Sequence, residues 1–260
     1  MKNVYFLSDF GDSEVYAGVV RSVLRQLAPH ARVVDLAHQL PPGDLRHAAY
    51  QLYAALPYLQ KGSLLLAVVD PGVGGPRRAL YLEGEKLGYI LPDNGIFTLA
   101  QQLDPPQKVW RLQPERFAGE VSGTFHARDV FAPAAAHLAR GLPPRALGEE
   151  VDPDSLVRLP LEISDSDAGE IITFDRFGNA LSNLRPSRLP EAVHIAGRRI
   201  VFECCYTAVP AGEAVAYLGS AGLVEVGVRD GSAREKLKLY QGAPLGLHWS
   251  EEEPPPLEFD

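Results

Sequence analysis

The 260-residue chain has only two cysteines and one methionine. Cys204 and Cys205 are adjacent, so a bond between them would be strained and no disulfide framework is implied. They fall in a strand-like stretch, Phe202 to Tyr206, where buried thiols are expected. Long apolar runs are absent as well. The first, Val4 to Leu7, is closely followed by Asp9 and falls far short of the roughly 18 residues of a membrane span, so a cytoplasmic protein without membrane contact is expected. Basic residues are outnumbered, 25 Lys and Arg against 33 Asp and Glu, for a net charge of -8. That balance argues against nucleic acid as a partner, because phosphate backbones demand surplus positive charge. The chain lacks GxGxxG, a Walker loop and a GxSxG elbow, which removes dinucleotide, nucleoside triphosphate and serine-hydrolase readings. Asp9, Asp70, His38, His47 and His126 could converge on a metal, yet no HxxxH, HxH or CxxC pair supplies a local anchor. No metal and no cofactor is expected.

What the chain does have is a glycine-rich turn fed by a strand without a polar face. Ser63 to Val69 carries Leu64, Leu65, Leu66, Val68 and Val69, the pattern of a parallel-sheet strand covered on both sides. It delivers Asp70 into Pro71-Gly72-Val73-Gly74-Gly75-Pro76, followed by Arg77 and Arg78. Asp70 therefore stands at the carboxyl end of a strand, where open α/β sheets bind ligands. Arg77 can fold back over the turn and orient the carboxylate. Upstream, Val4 to Ser8 predicts a strand, and Val15 to Leu27 a helix capped by Asp12 or Ser13. Arg32 to Leu36 predicts a second strand, and Asp44 opens a second helix. Ala79 to Leu82 and Gly88 to Leu91 predict a hairpin, Ile96 to Leu103 a helix after Asn94-Gly95, and Val130 to Ala139 another. The alternation predicts a doubly wound α/β domain over residues 1–160. Small polar residues from Ile163 to Gly169 predict a linker at 161–168. Short apolar runs then predict an all-β, barrel-like domain over 169–260, ending in an acidic, proline-rich tail from Glu251 to Pro256.

Three more segments carry polar groups that a fold alone does not require. Ser8-Asp9-Phe10-Gly11 ends the first strand, where a carboxylate can accept two hydroxyl hydrogen bonds from a ribose diol. Gly123-Thr124-Phe125-His126-Ala127-Arg128-Asp129 puts a histidine in a turn before a helix, with Asp129 as its helix-start carboxylate. Asp175-Arg176-Phe177-Gly178-Asn179 groups a carboxylate, an aromatic and an amide at a strand end; Phe177 can stack on a base and Asn179 can pair with its edge.

In order, Ser8-Asp9-Phe10-Gly11, Asp70-Pro71-Gly72-Val73-Gly74 with Arg77-Arg78, Leu91-Pro92-Asp93-Asn94-Gly95, Gly123-Thr124-Phe125-His126, Asp175-Arg176-Phe177-Gly178-Asn179 and Gly219-Ser220-Ala221-Gly222-Leu223-Val224-Glu225 resemble the S-adenosyl-L-methionine hydroxide adenosyltransferases, relatives of the bacterial fluorinase and chlorinase. The resemblance runs from Val4 to Ser232. It implies a homotrimer with sites at subunit interfaces and the conversion of S-adenosyl-L-methionine and water to adenosine and L-methionine. It also implies roles: Asp70, Arg77 and His126 as catalytic residues, Asp9 on the ribose hydroxyls, and Asp175 with Ser220 on the methionine ammonium and carboxylate. Phe177 and Asn179 would contact adenine, helped by backbone groups near Val228 and Asp230.

The same resemblance separates hydrolase from halogenase. Halogenases carry Tyr where Asp70 and His126 stand, and a hydroxyl residue near Arg77's position. A halide arrives anionic and needs a neutral, dry pocket, whereas attacking water must lose a proton. At Glu14, Gly43 and Ala221 the chain also departs from the halogenases, which have Asp, Trp and Arg there. The rival readings are a non-catalytic binder of S-adenosyl-L-methionine or adenosine, and a metal-dependent nucleotide hydrolase using Asp9, Asp70 and His126 as ligands.

Overall fold

The computed structural model describes residues 2–249, which fall into two compact units divided between Leu159 and Pro160. The expected tail from Glu251 to Pro256 lies outside the described residues. The first unit runs β1 (Asn3–Ser8), α1 (Tyr16–Leu27), β2 (Arg32–Ala37), α2 (Leu45–Ala55), β3 (Leu64–Val68), β4 (Ala79–Glu83), β5 (Gly88–Pro92), β6 (Lys108–Leu112), α3 (Ala132–Ala139) and β7 (Gly148–Val151). Its sheet has the order β2-β1-β3-β5-β4-β6-β7. Pairings are parallel from β2 through β5 and antiparallel from β5 through β7, so the sheet is mixed.

Strand β3 shows why the sequence has no polar face there. Leu64, Leu66 and Val68 pack with α1 and α3, while Leu65, Ala67 and Val69 on the other face pack with Ala48 and Leu52 of α2. Alternating side chains thus meet apolar neighbours on both sides, each large one contributing roughly 1.5–3 kcal/mol by leaving water. Asp44 caps α2 as its type suggests, its carboxylate accepting from His47 N at 2.9 Å.

The second unit is built mainly of strands: β8 (Ala168–Phe174), β9 (Ala180–Ser182), β10 (Ala192–Ile195), β11 (Arg198–Val201), β12 (Ala214–Leu218), β13 (Val224–Val228), the short α4 (Ala233–Lys236) and β14 (Pro244–His248). They form one sheet in the order β11-β10-β14-β8-β9-β13-β12. A bridge from Phe202, just past β11, to Ala216 in β12 nearly closes it into a barrel around Ile171, Val193, Ala216 and Val226. Within the segment from Leu161 to Ser164, Leu161 and Ile163 are buried, and Ser164 pairs with Leu184.

Some expectations are corrected. Helix α1 opens at Val15 without a side-chain cap, because the Asp12 carboxylate accepts instead from the Gln39 amide. The helix expected from Ile96 to Leu103 shrinks to a 3-10 turn at Ala100–Gln102. There the Thr98 hydroxyl donates to Gly95 O at 2.6 Å, competing with backbone donors for that carbonyl. Cys204 and Cys205 are exposed, since the chain bends away from the sheet after Phe202. Strands β6, β7, β9 and β10 are additions; each has only three to five residues, too few for a periodic signal.

Candidate active site

Parallel register builds the floor of the site. Ser8 of β1 pairs with Val68 of β3, so Asp9, one residue beyond, and Asp70, two residues beyond, both leave the sheet at the strands' carboxyl ends. Both line a cavity of about 380 Å³ together with Phe10, Gly43, Val73, Thr124, Phe125 and His126. Asp9 is held by Gly43, whose backbone N–H donates to Oδ2 at 2.8 Å. The strand end before Asp70 is fixed by Asn94, whose Nδ2 donates to Val69 O at 2.8 Å. Asp93 beside it accepts from Arg78 Nε at 2.7 Å and from Val157 N at 3.0 Å. Of the two arginines, Arg78 is therefore structural.

Arg77 faces the cavity's carboxylate. Its Nε lies 3.0 and 2.9 Å from the two oxygens of Asp70, and its Nη2 is 2.5 Å from Oδ2. The same Nη2 lies 2.8 Å from His126 Nδ1. A guanidinium can only donate, so Nδ1 accepts and the neutral imidazole carries its proton on Nε2. Burial, followed by the positive charge of Arg77, pulls the His126 pKa below its ordinary value, with Asp70 and Asp129 opposing. Both causes favour the neutral ring. The guanidinium stacks over the Phe131 ring, 5.2 Å to the centroid, which fixes its plane.

The loops carrying these groups are joined through glycine. Gly74 has φ +77°, and a Cβ there would overlap Gly123 O, so the loop after Asp70 and the loop before His126 touch backbone to backbone. His126 stands at the mouth of a single π-helical turn, Ala127–Phe131, that leads into α3; such turns recur at functional sites. Asp129 closes that loop by accepting from Ser122 N at 2.9 Å. Its Arg128 partner, then the Ser122 bond, holds the Asp129 pKa down at about 2.

The buried Ser8 hydroxyl meets His38 Nδ1 at 2.7 Å, and His38 Nε2 meets Asp35 at 3.0 Å. That series supports the strand end beneath Asp9 but exposes no nucleophile, because Ser8 is fully buried. His47 bonds Gln51 on its own helix. Among the described residues, no three of His, Cys, Asp or Glu are placed to hold a metal ion, and no helix is long and apolar enough to cross a membrane.

In the second unit, the turn between β8 and β9 is tied by Asp175. Its Oδ1 accepts from Phe177 N and Asn179 N, both at 2.9 Å, and its Oδ2 accepts from Asn179 Nδ2 at 2.7 Å. Asn179 Nδ2 also donates to the Tyr206 hydroxyl at 3.0 Å. Both amide hydrogens are thus in use, which leaves the Asn179 carbonyl oxygen as the group able to read a ligand donor. Phe177 is 70% exposed, an aromatic face open for stacking. Val228 ends β13 next to this turn, and Asp230 follows with φ +56°. Ser220 sits in the turn at the other end of the β12–β13 hairpin, five residues of strand away, or about 17 Å.

Asp9, Asp70, Arg77 and His126 thus come together in the first unit, and Asp175, Phe177, Asn179, Val228 and Asp230 in the second, with Ser220 apart from these five. Sequence reasoning passed over Asn94 as a positioning group, Phe10 and Phe125 as cavity walls, and Tyr206 as the partner of Asn179. Asn94 and Phe125 stood inside motifs already singled out. Tyr206 had no signal, because its contact spans 27 positions.

Residues 4–148 match the SAM hydroxide adenosyltransferase N-terminal domain, and residues 169–246 match the C-terminal domain. A Thermus thermophilus protein named (R)-S-adenosyl-L-methionine hydrolase is 54% identical over 255 residues, covering 95% of this chain and 100% of its own. One of that name from Salinispora arenicola is 38% identical, covering 93% and 96%. A crystal structure of a conserved hypothetical protein from Thermus thermophilus superposes with a TM-score of 0.86 at 53% identity, covering 95% of this chain and 100% of the other. With both domain types matched in order and the site motifs inside them, the chain belongs to the SAM hydroxide adenosyltransferase family.

Proposed function

We propose that the protein hydrolyses S-adenosyl-L-methionine to adenosine and L-methionine by attack of water on the ribose C5′. The observation that carries this reading is the Asp70–Arg77–His126 cluster, which joins a carboxylate, a guanidinium and a neutral imidazole beside a cavity that Asp9 also lines. Family membership and the hydrolase names of the relatives support the substrate.

Water bound to Asp70 is oriented for in-line attack and loses its proton as the C5′–O bond forms. His126 already accepts a hydrogen bond at Nδ1, so its Nε2–H can only donate, and Asp70 takes the proton. Arg77 steadies that carboxylate and the developing hydroxide charge. On the opposite side the C5′–S bond breaks and the positive sulfonium leaves as a neutral thioether, so the leaving group needs no acid. Positioning is the main contribution, with base assistance on the order of 10²–10⁴ in rate. A carboxylate at position 70 repels a halide, which favours water over halide as nucleophile.

Asp9 binds the ribose hydroxyls in this reading, and Phe177 and the Asn179 carbonyl contact adenine, the latter accepting from its exocyclic amine. Backbone near Val228 and Asp230 assists the adenine contact, and the resemblance assigns Asp175 and Ser220 to the methionine end, with Ser220 at the far end of the β12–β13 hairpin from Val228. An N-terminal domain of residues 1–160 supplies the reacting groups, and a C-terminal domain of 169–260 the base contacts. The family resemblance extends the reading to a cytoplasmic homotrimer with sites at subunit interfaces.

The test is incubation with S-adenosyl-L-methionine in ¹⁸O-labelled water with a chelator present, beside an Asp70→Ala variant. Expected is label in the adenosine 5′-hydroxyl, lost in the variant. Intact substrate despite binding would turn the reading to a non-catalytic binder, and dependence on metal to a metal-assisted hydrolase. Light scattering tests assembly: a monomer of 28.3 kDa refutes the trimer.

A further inference from the structure

The second unit carries a pair of nucleophiles that the proposed reaction does not use. Cys204 and Cys205 are both exposed, and their sulfurs lie 3.6 Å apart. The Cys205 sulfur is also 3.2 Å from the Thr207 hydroxyl. Between that threonine and the pair stands Tyr206, whose hydroxyl accepts from Asn179 Nδ2 at 3.0 Å and meets the Tyr217 hydroxyl at 2.5 Å. Cys205 is therefore the chain neighbour of the tyrosine whose hydroxyl holds the Asn179 amide, and Cys204 is two residues from it. We propose that Cys204 and Cys205 form a thiol-redox modification site, closed by a hydroperoxide to a vicinal disulfide, that governs the Asn179 amide through Tyr206.

The two sulfurs have distinct roles. Hydrogen bonding from Thr207, then from Cys204, pulls the Cys205 thiol below its ordinary pKa, while its neighbour pushes Cys204 up. Exposure, a more acidic thiol and an adjacent resolving thiol are the attributes of cysteines that respond to peroxide. The Cys205 thiolate attacks the peroxide, forming an S–O bond as the O–O bond breaks and releasing the alcohol or water. Cys204 then attacks the sulfenic sulfur, an S–S bond forms, and the departing hydroxide takes up the Cys204 proton as water. Two thiols and one hydroperoxide thus give one disulfide, one alcohol (water from hydrogen peroxide) and one water, the sulfurs losing two electrons and the peroxide oxygens gaining them.

Closure must draw the sulfurs from 3.6 Å to about 2.05 Å across a single peptide unit. It pulls Cys205 away from Thr207 and turns the Tyr206 backbone, so the hydroxyl leaves Asn179. A ring this tight is strained, hence readily reopened by thiol reductants, which suits a reversible switch better than a structural bond. The effect on substrate rests on the adenine contact proposed for Asn179. Closure itself does not.

The full chain is treated with hydrogen peroxide, its free thiols are blocked, and intact mass and hydrolysis kinetics are read before and after dithiothreitol. Expected is a loss of two hydrogens within one chain and a rise in KM of roughly two- to tenfold, the worth of one neutral hydrogen bond, with kcat little changed and reduction restoring both. Cys204→Ser should stop at a dimedone-reactive sulfenic acid on Cys205, and Cys205→Ser should give neither adduct nor KM change. Two thiols still free after peroxide, a disulfide between chains, or a closed pair with unchanged KM would overturn the proposal. Should the reduced chain not hydrolyse S-adenosyl-L-methionine at all, the proposed function fails, while mass and dimedone labelling still decide the closure.

Discussion

Replacing Arg77 with lysine keeps the charge and removes the geometry. The guanidinium grips Asp70 at two points, through Nε at 3.0 and 2.9 Å and through Nη2 at 2.5 Å, and the same Nη2 reaches His126 Nδ1 at 2.8 Å. A lysine ammonium has one nitrogen in place of the planar fork, so it cannot keep the two-point grip on the carboxylate together with the bond to the imidazole. At least one charge-assisted hydrogen bond is lost, worth about 1.5–3 kcal/mol, in a site where the Arg77 side chain is only 11% and that of Asp70 only 5% exposed. Adding the misorientation of the surviving partner brings the cost to roughly 2–4 kcal/mol, or about 30- to 1,000-fold in kcat/KM. The assay is the initial rate of adenosine release from S-adenosyl-L-methionine, with a thermal melt to show that the variant folds. A second readout separates geometry from charge. With Nδ1 freed from its donor, His126 protonates more readily, and the acid limb of the rate profile moves to higher pH. Activity within about threefold of the parent, with an unmoved pH profile, would refute the claim that Arg77 works by bridging the two groups.

Three further outcomes follow from the same site. Gly74→Ala drives a Cβ into Gly123 O at φ +77°, so the two active-site loops must part; a loss of about 2 kcal/mol or more and a Tm lower by roughly 4–8 °C are expected, and an unchanged melt would refute the backbone contact. For pH, the folded His126 titrates below its ordinary value, so its contribution to stability is full above about 6.5 and is lost as pH falls toward the depressed value. Hydrolysis should then stay level above neutrality, with its acid limb below the ordinary histidine range. Asp129 acts in a lower window: its contribution is full above 3.8 and disappears as pH falls toward about 2, which denaturation midpoints taken at stepped pH would follow.

How much of this was legible beforehand depends on the range of the interaction. Leu64 to Val69 announces a doubly covered strand because burial on both faces leaves its mark residue by residue, in the local pattern alone. The glycine turns after Asp70 and within Asp175 to Asn179 are equally local, since each needs a backbone shape that few residues adopt. The sequence by itself therefore determined the strand that ends at Asp70, the existence of a strand-rich second half, and the segments from which a site could be built. The cap of α1 escaped because a competing partner, Gln39, took Asp12, and the short strands escaped because three to five residues carry too little pattern. Tertiary structure alone decided which segments meet. The β1–β3 register brings Asp9 and Asp70 to the same end of the sheet, Arg77 finds His126 across 49 positions, and Tyr206 finds Asn179 across 27. The reason is physical: periodicity encodes whether a side chain is buried, while its partner is chosen by sheet register and packing, which no local stretch of chain contains.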